Sequence, residues 1–582
     1  MQITGSQLII NSLIEEGVDK IFAYPGGYDK DIFDALYHEK DIELILPRHE
    51  QGLIHSAEGY ARSTGKVGVC LVTSGPGATN LVTGIADANY DGIPLVCFTG
   101  QVATSVIGND AFQEVDIVGI TRTISKYSTT IRKREDLGRA IKEAFYIART
   151  GKPGPVIVDL PSNIVSEIGP AEYPETVNIR GYKPSTGVHI GQIKKALEML
   201  KNAKKPLFLI GSGVNISHAN EEFEKLVNIT KVPVITTIMG KGAIPTKHPL
   251  FIGNVGMHGS YASNKAVNEC DVLFSIGTRF NDRVTGRIAE FAPNAKIIHI
   301  DIDSASISRN IVVNIPIVAD AKAAINELIP LAQELYTKKW VNQIKAWDKE
   351  YPVTAPSSVE GRISPQAIFE NLNKAFTEGI FLTDVGQHQM WTTQFLEMNK
   401  NKQLITSGGL GTMGFGLPAA IGAQLGNPDK RVVCIAGDGG VQMTIQELAT
   451  AVQLELPITL VIINNGFLGM VRQMQQFFHD KNYSGTCLRK RKSCEGKCNF
   501  DGSNIPECCP PYTPDFIRLA ESYGAYGIRV TDEDKLSDAF EEAKKNTDSP
   551  TIIEILIDFK DVVLPMFQGG KALDNMLLET NY

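Results

Sequence analysis

The chain is 582 residues long, room for roughly three to five domains, and its 43% apolar and 21% charged residues mark a folded globular protein rather than a disordered one. A formal net charge of −8 excludes a dominant role in binding nucleic acid or an anionic membrane, because both depend on clustered cations. No apolar run reaches the roughly 18–20 residues that cross a bilayer, so a cytoplasmic enzyme without nucleic-acid or membrane partners is the expected class.

The N-terminal segment has no basic leader. It reads as an amphipathic helix with Leu8, Ile9, Leu13 and Val18 on one side, and the acidic pair Glu15 and Glu16 argues against a transit peptide. A first group of apolar runs follows at 20–25, 42–47, 67–74, 94–100 and 154–161, most of them bounded by Gly, Pro or Ser. A polar, proline-containing linker over about 171–190 separates it from a second group at 206–213, 233–237, 272–280 and 296–303, which closes on a helix over 320–336. A second linker at 350–364 precedes strands at 379–386, 403–409, 431–440, 458–465 and 551–557. β-like runs alternating with helical patterns predict an α/β chain of three doubly wound parallel-sheet domains, at 1–170, 185–345 and 362–582. The first and third share a strand–loop–helix rhythm.

The chemistry concentrates in the third domain. Residues 431–440, RVVCIAGDGG, form a buried strand that ends in glycines, and 458–465, ITLVIINN, returns beside it after a helical crossover. Ligands of open parallel sheets bind at such carboxyl ends. Asp438 and Asn465, 27 positions apart, therefore converge; with the Phe467 carbonyl they can hold one Mg²⁺ and leave positions for water and phosphate oxygens. Gly437, Gly439 and Gly440 let backbone N–H groups approach a diphosphate at a helix N-terminus. Gly-Asp-Gly alone is only a turn; the asparagine pair at this distance makes the signal specific.

These segments resemble the thiamine-diphosphate signature, and the resemblance to acetolactate (acetohydroxyacid) synthase catalytic subunits covers nearly the whole chain. It rests on YPGG at 24–27, RHEQG at 48–52, TSGPGATNLVTGIADA at 73–88, GNDAFQEVDIVGITR at 108–122, RFNDRVTG at 279–286, DVGQHQMW at 384–391, GGLGTMGFGLPAAIGA at 408–423 and NNGFLGMVRQ at 464–473. It implies decarboxylation of pyruvate on thiamine diphosphate and condensation of the two-carbon unit with pyruvate or 2-ketobutyrate, the entry to branched-chain amino acids. By the same resemblance Glu50 is the carboxylate that activates the aminopyrimidine, and Met413 the apolar wedge under the bent cofactor. The Gly411 carbonyl receives the pyrimidine amino group, and Gly386, Gln387 and His388 contact the diphosphate. Gly27, Phe112, Gln113 and Arg283 match positions around the substrates. A guanidinium suits a keto-acid carboxylate because it pairs in bidentate fashion. The central domain resembles one that carries FAD without using it for redox, with Gly211, Gly213, Met257, Arg279, Asp301 and Asp320 as its contacts. A homodimer or homotetramer with a shared active site is implied, and a small regulatory subunit is left open.

Three residues depart from the family pattern: Tyr28 and Met474 stand where a small residue and tryptophan are usual, and Ser162 where lysine is usual. They leave the acceptor open. The rivals are a sulfoacetaldehyde acetyltransferase, a 2-hydroxyacyl lyase, a pyruvate oxidase, or a non-catalytic paralogue. Five cysteines, Cys487, Cys494, Cys498, Cys508 and Cys509, crowd into 487–509, where they could hold zinc or an iron–sulfur cluster, pair as disulfides, or stay free. The basic run 489–492 reads as a solvated loop face or, alternatively, a contact to phosphate or an acidic partner.

Overall fold

Strands that read as continuous apolar runs do so because both of their faces are covered. In a computed structural model describing residues 2–185, 187–489, 492 and 514–579, Val96 and Phe98 of the strand Leu95–Gln101 enter one apolar cluster, while Leu95 and Cys97 enter another on the opposite face. The same division holds for Pro206–Ile210 and Val432–Gly437 in the second and third sheets. Each of these three sheets has six described strands, all paired in parallel, and two further two-stranded sheets are antiparallel. This is the doubly wound arrangement expected from the alternating pattern.

Numbering the strands within each sheet, the first and third share the order 2-1-3-4-6-5, a common topology beneath their common rhythm. The central sheet has the order 3-2-1-4-5-6, with its switch point between Pro206–Ile210 and Val272–Ile276. Within the three six-stranded sheets, four described strands lie outside the sequence reading: Tyr127–Thr130, Phe251–Asn254, Ile315–Val318 and Tyr526–Val530. All four are edge strands with half-exposed or alternating burial, so they lack the long apolar run that marks an interior strand.

Two helices differ from expectation. The first runs over Gly5–Glu15, closed at its start by a Thr4–Gln7 capping box, so Val18 lies beyond it. The helix expected over 320–336 stops at Leu328 and passes into one 3-10 turn at Ile329–Leu331, because Pro330 lacks the N–H that would continue it. No described helix is long and apolar enough to cross a membrane.

The first and third domains are held together along the helix Glu50–Thr64, which starts on the His49 side chain and ends at Gly65 with φ of +76°. It packs on Gly416–Gly426 at backbone distance. A Cβ at Gly59 would stand 1.9 Å from the Ala419 carbonyl oxygen, and one at Gly422 would stand 1.7 Å from that of Ser56. Beside this contact lies a buried ionic cluster. Arg62 Nη2 is 3.3 Å from Glu58 Oε2, 3.3 Å from Asp87 Oδ2 and 3.0 Å from Asp91 Oδ2. One cation faces three carboxyls, and burial with the nearby Asp87 charge pushes Glu58 well above the usual carboxylate range. Burial also pushes His55 down to about 4, which leaves it neutral. His55, Glu58 and Asp87 bring potential ligand atoms within 4.8 Å of one another, but the guanidinium already supplies the positive charge there.

The cluster's outer oxygens hold the loop that follows the strand Lys402–Thr406. Asp87 Oδ1 accepts the hydroxyls of Ser407 and Thr412, and Asp91 accepts the N–H groups of Gly408 and Gly409. Ser407 Oγ in turn accepts the N–H groups of Gly411 and Thr412.

Two stability predictions follow from these contacts. Gly59→Ala should lower the thermal midpoint, since overpacking against rigid backbone costs about 1–3 kcal/mol or more. Arg62→Met should cost roughly 3–5 kcal/mol by stranding buried carboxylates, whereas Arg139→Met, which breaks an exposed pairing with Asp136 and Glu143, should cost under about 1 kcal/mol. Denaturation of the three variants beside the parent checks both.

Candidate active site

Val432–Gly437 and Thr459–Asn464 are adjacent parallel strands, with Gly437 opposite Ile463, so Asp438 and Asn465 emerge side by side. They open onto a cavity of about 60 Å³ whose walls include Gly386, Gln387, His388, Met413, Gly437 to Gly440, Asn465 and Phe467. Glycine is required in this wall: a Cβ at Gly437 would stand 2.9 Å from His388 Nδ1, and one at Gly440 would stand 2.4 Å from Asp384 Oδ1. Asp438 Oδ2 and His388 Nε2 are among the buried polar atoms of its lining residues that have no hydrogen-bond partner within the described protein. Burial pushes Asp438 up to about 7 and His388 down to about 4. Unpaired buried polar atoms are costly. A cation at Asp438 and an anionic oxygen within reach of His388 would satisfy both.

Neighbours fix the orientation of these groups. Asn465 donates its amide to Gln387 Oε1 at 3.1 Å, and Gln387 donates to Gln473 Oε1 at 2.9 Å. Asn465 Oδ1 accepts the Phe467 N–H at 2.9 Å, which curls the chain back over the strand end. Asp384, fully buried, accepts the N–H groups of Val385, Gly414 and Gly416, so it anchors the turn that presents Met413. Gly411, at φ of +75°, lies in the loop held by Asp87 and Asp91. Arg489 also faces this site: it donates to the Asn465 carbonyl at 3.0 Å, and its charge partly offsets the rise at Asp438.

A second group forms at the carboxyl ends of the first sheet. Glu50 opens its helix, and its Oε2 accepts the Asn80 amide at 2.9 Å. Gly27, Tyr28, Phe112 and Gln113 lie nearby: Tyr28 donates its hydroxyl to the Phe112 carbonyl, and Gly75 packs against Gln113. Phe112 is 80% exposed. This group does not enter the Asp438 cavity, whose walls all come from residues 385–557. Glu447 is a residue that sequence reasoning passed over. Its buried carboxylate, from the third domain, accepts the N–H groups of Arg48 and His49 just ahead of Glu50. The QEL triplet that holds it carries no signal apart from its partner.

The residues matched to a flavin domain divide. Gly213, Arg279, Asp301 and Asp320 line a cavity of about 280 Å³ at the switch point of the central sheet, with Lys152 from the first domain on the same wall. Gly211 and Gly213 pack directly on Gly277, which brings the two strand ends close together. Met257 lies apart, its N–H bonded to the Arg283 carbonyl and its carbonyl to the Phe567 N–H. Arg283 is exposed and pairs with Asp282 at 3.4 Å. Met474 packs in the same apolar cluster as Met257, Met566 and Phe567. Ser162 begins the short helix Ser162–Ser166, whose Ile164 and Val165 are buried. Of the clustered cysteines only Cys487 is described, paired across from Phe467; the metal, disulfide and free-thiol readings of the other four lie outside the described residues.

Comparison with known proteins finds relatives along nearly the whole chain. Family models match at residues 3–120 (thiamine pyrophosphate enzyme, N-terminal TPP binding domain), 193–328 (central domain) and 384–555 (C-terminal TPP binding domain). The chain is 42% identical to the acetolactate synthase isozyme 3 large subunit of Escherichia coli (strain K12), over 99% of this chain and 98% of that one. It is 43% identical to the acetolactate synthase large subunit of Cyanidium caldarium (99% and 96%) and 42% identical to the acetolactate synthase of Mycobacterium bovis (99% and 91%). With all three thiamine-enzyme domains present and end-to-end similarity to these relatives, the chain is a thiamine-diphosphate-dependent enzyme and belongs to the acetolactate synthase large-subunit family.

Proposed function

We propose that this enzyme decarboxylates pyruvate and joins the resulting two-carbon unit to a second 2-keto acid, giving 2-acetolactate or 2-aceto-2-hydroxybutyrate. The observation that carries the reading is the unpaired Asp438 Oδ2 beside His388 in a glycine-walled cavity, a donor set suited to Mg²⁺ and a diphosphate. Asp438, Asn465 and the Phe467 carbonyl hold the metal, while Gly386, Gln387, His388 and the 437–440 backbone hold the diphosphate. Bound thiamine diphosphate supplies the carbanion chemistry. The chain supplies orientation and proton management: Met413, on the turn anchored by Asp384, would pack against the cofactor, and the Gly411 carbonyl would accept its pyrimidine amino group. Glu50, pinned by Asn80, exchanges a proton with the pyrimidine ring nitrogen. Arg283 pairs with the acceptor carboxylate, beside Gln113 and Phe112.

The active unit in this reading is a homodimer. The cavity walls exclude Glu50 and its neighbours, which supports a site whose Glu50 half comes from a second copy. A flavin in the central domain belongs to the same reading, supported by the switch-point cavity with Arg279, Asp301 and Asp320 on its wall.

Purified enzyme given thiamine diphosphate, Mg²⁺ and pyruvate should form acetolactate without added phosphate and without reducing a flavin. A phosphate requirement or flavin reduction would select a rival. Glu50→Gln should stay folded and keep much of its cofactor affinity while turnover falls roughly 10²–10⁴-fold, the range of a lost general acid–base group; near-normal turnover would refute its role. With Met474 in place of an indole, preference for 2-ketobutyrate over pyruvate should be weak, since one methylene is worth about 1–3 kcal/mol in an apolar pocket. Competition assays should show that Met474→Trp strengthens this preference.

A further inference from the structure

Tyr28 is one of the three departures from the family pattern, and its hydroxyl has a specific partner. It donates to the backbone carbonyl of Phe112 at 3.0 Å, across 84 positions of sequence. The turn bearing Tyr28 is itself set: the Gly26 N–H donates to Asp29 Oδ1 at 2.7 Å, and the Tyr28 N–H donates to Thr73 Oγ1 at 3.4 Å. Gly100 leaves room for the ring's base, since a Cβ there would stand 3.3 Å from the Tyr28 Cβ.

The receiving loop needs such a tie. Asp110 and Gln113 have φ of +52° and +60°, a region costly for residues with a side chain. Glu114 caps the loop from within by accepting the N–H groups of Gly108 and Ala111. Gly75 supports it from below, where a Cβ would stand 2.8 Å from the Gln113 carbonyl. The outer side, where Phe112 is 80% exposed, is tied to the Gly26–Gly27 turn through the Tyr28 hydroxyl.

We propose that the Tyr28 hydroxyl is a positioning group for the acceptor: by holding the Phe112 carbonyl it fixes the 110–113 turn and the Gln113 side chain, so that the two-carbon unit is passed to a second keto acid rather than lost. A residue with a small side chain could not reach this carbonyl. The tie therefore belongs to this chain's own version of the site. The inference rests on the carboligase reading above, and it concerns partition between ligation and release, not formation of the two-carbon unit.

The test uses holoenzyme with thiamine diphosphate, Mg²⁺ and pyruvate, and compares the parent with Tyr28→Phe and Tyr28→Ala. Acetolactate and free acetaldehyde are both quantified. Tyr28→Phe should raise the acetaldehyde-to-acetolactate ratio roughly three- to tenfold, the scale of one hydrogen bond, with thermal midpoint, thiamine diphosphate affinity and the rate of CO₂ release close to the parent's. Tyr28→Ala should give a similar ratio, because both lack the hydroxyl. An unchanged ratio in Tyr28→Phe overturns the proposal, whether or not Tyr28→Ala folds. So does a change in Tyr28→Ala alone, which would assign the effect to ring bulk. If the parent forms no acetolactate, the carboligase reading fails and this inference with it; if the parent forms it and the ratio is unmoved, only the inference fails.

Discussion

The packing of the first domain on the third depends on the contact between the Glu50–Thr64 helix and the Gly416–Gly426 helix. At Gly59 and Gly422 the helices meet with almost no side chain between them, so their relative position is set by backbone against backbone. Glycine weakens a helix by roughly 1 kcal/mol relative to alanine, and here that cost is offset by close packing. An interface of large flexible side chains would allow rotamer exchange and small slips. This one allows little, and it lies between the element that begins with Glu50 and the one that follows Met413.

The buried ionic cluster beside it adds direction to that rigidity. Arg62 faces Glu58, Asp87 and Asp91, and the two aspartates extend the network into the 407–412 loop through hydroxyl and backbone donors. A buried ion pair is weak evidence of net stability, since desolvation consumes much of the Coulombic gain. Its value here is geometric: an apolar replacement could fill the space but could not receive Gly408, Gly409, Ser407 and Thr412 at fixed angles. Glu447 does the same in the other direction, receiving Arg48 and His49 just before the catalytic-type glutamate.

The Asp438 cavity shows the complementary principle. Its walls include several glycines, and its polar atoms Asp438 Oδ2 and His388 Nε2 lack partners among the described residues, although most buried polar atoms of a folded chain are paired. Burial holds the imidazole neutral and raises the carboxyl. Such groups are held ready for a ligand by others that are fully bonded, Gln387 and Asp384 above all.

Much of this was legible in the residues. Interior strands announce themselves as apolar runs because both faces are buried, and the Asp438–Asn465 spacing implies convergence because a parallel crossover leaves adjacent strands pointing the same way. Edge strands such as Tyr127–Thr130 and Tyr526–Val530 were not legible, because a half-solvated strand carries no such run and is defined by its neighbour. The sequence alone determined the fold class, the family and the convergence of Asp438 with Asn465. Only the tertiary structure decided that Glu447 reaches the Glu50 helix, that Arg62 serves three carboxyls from two helices, that Met257 lies with Arg283 rather than in the switch-point cavity, and that Tyr28 holds Phe112. Local periodicity and spacing report what each segment buries and which way its ends point; contacts between residues tens to hundreds of positions apart exist only once the packed domains bring them together.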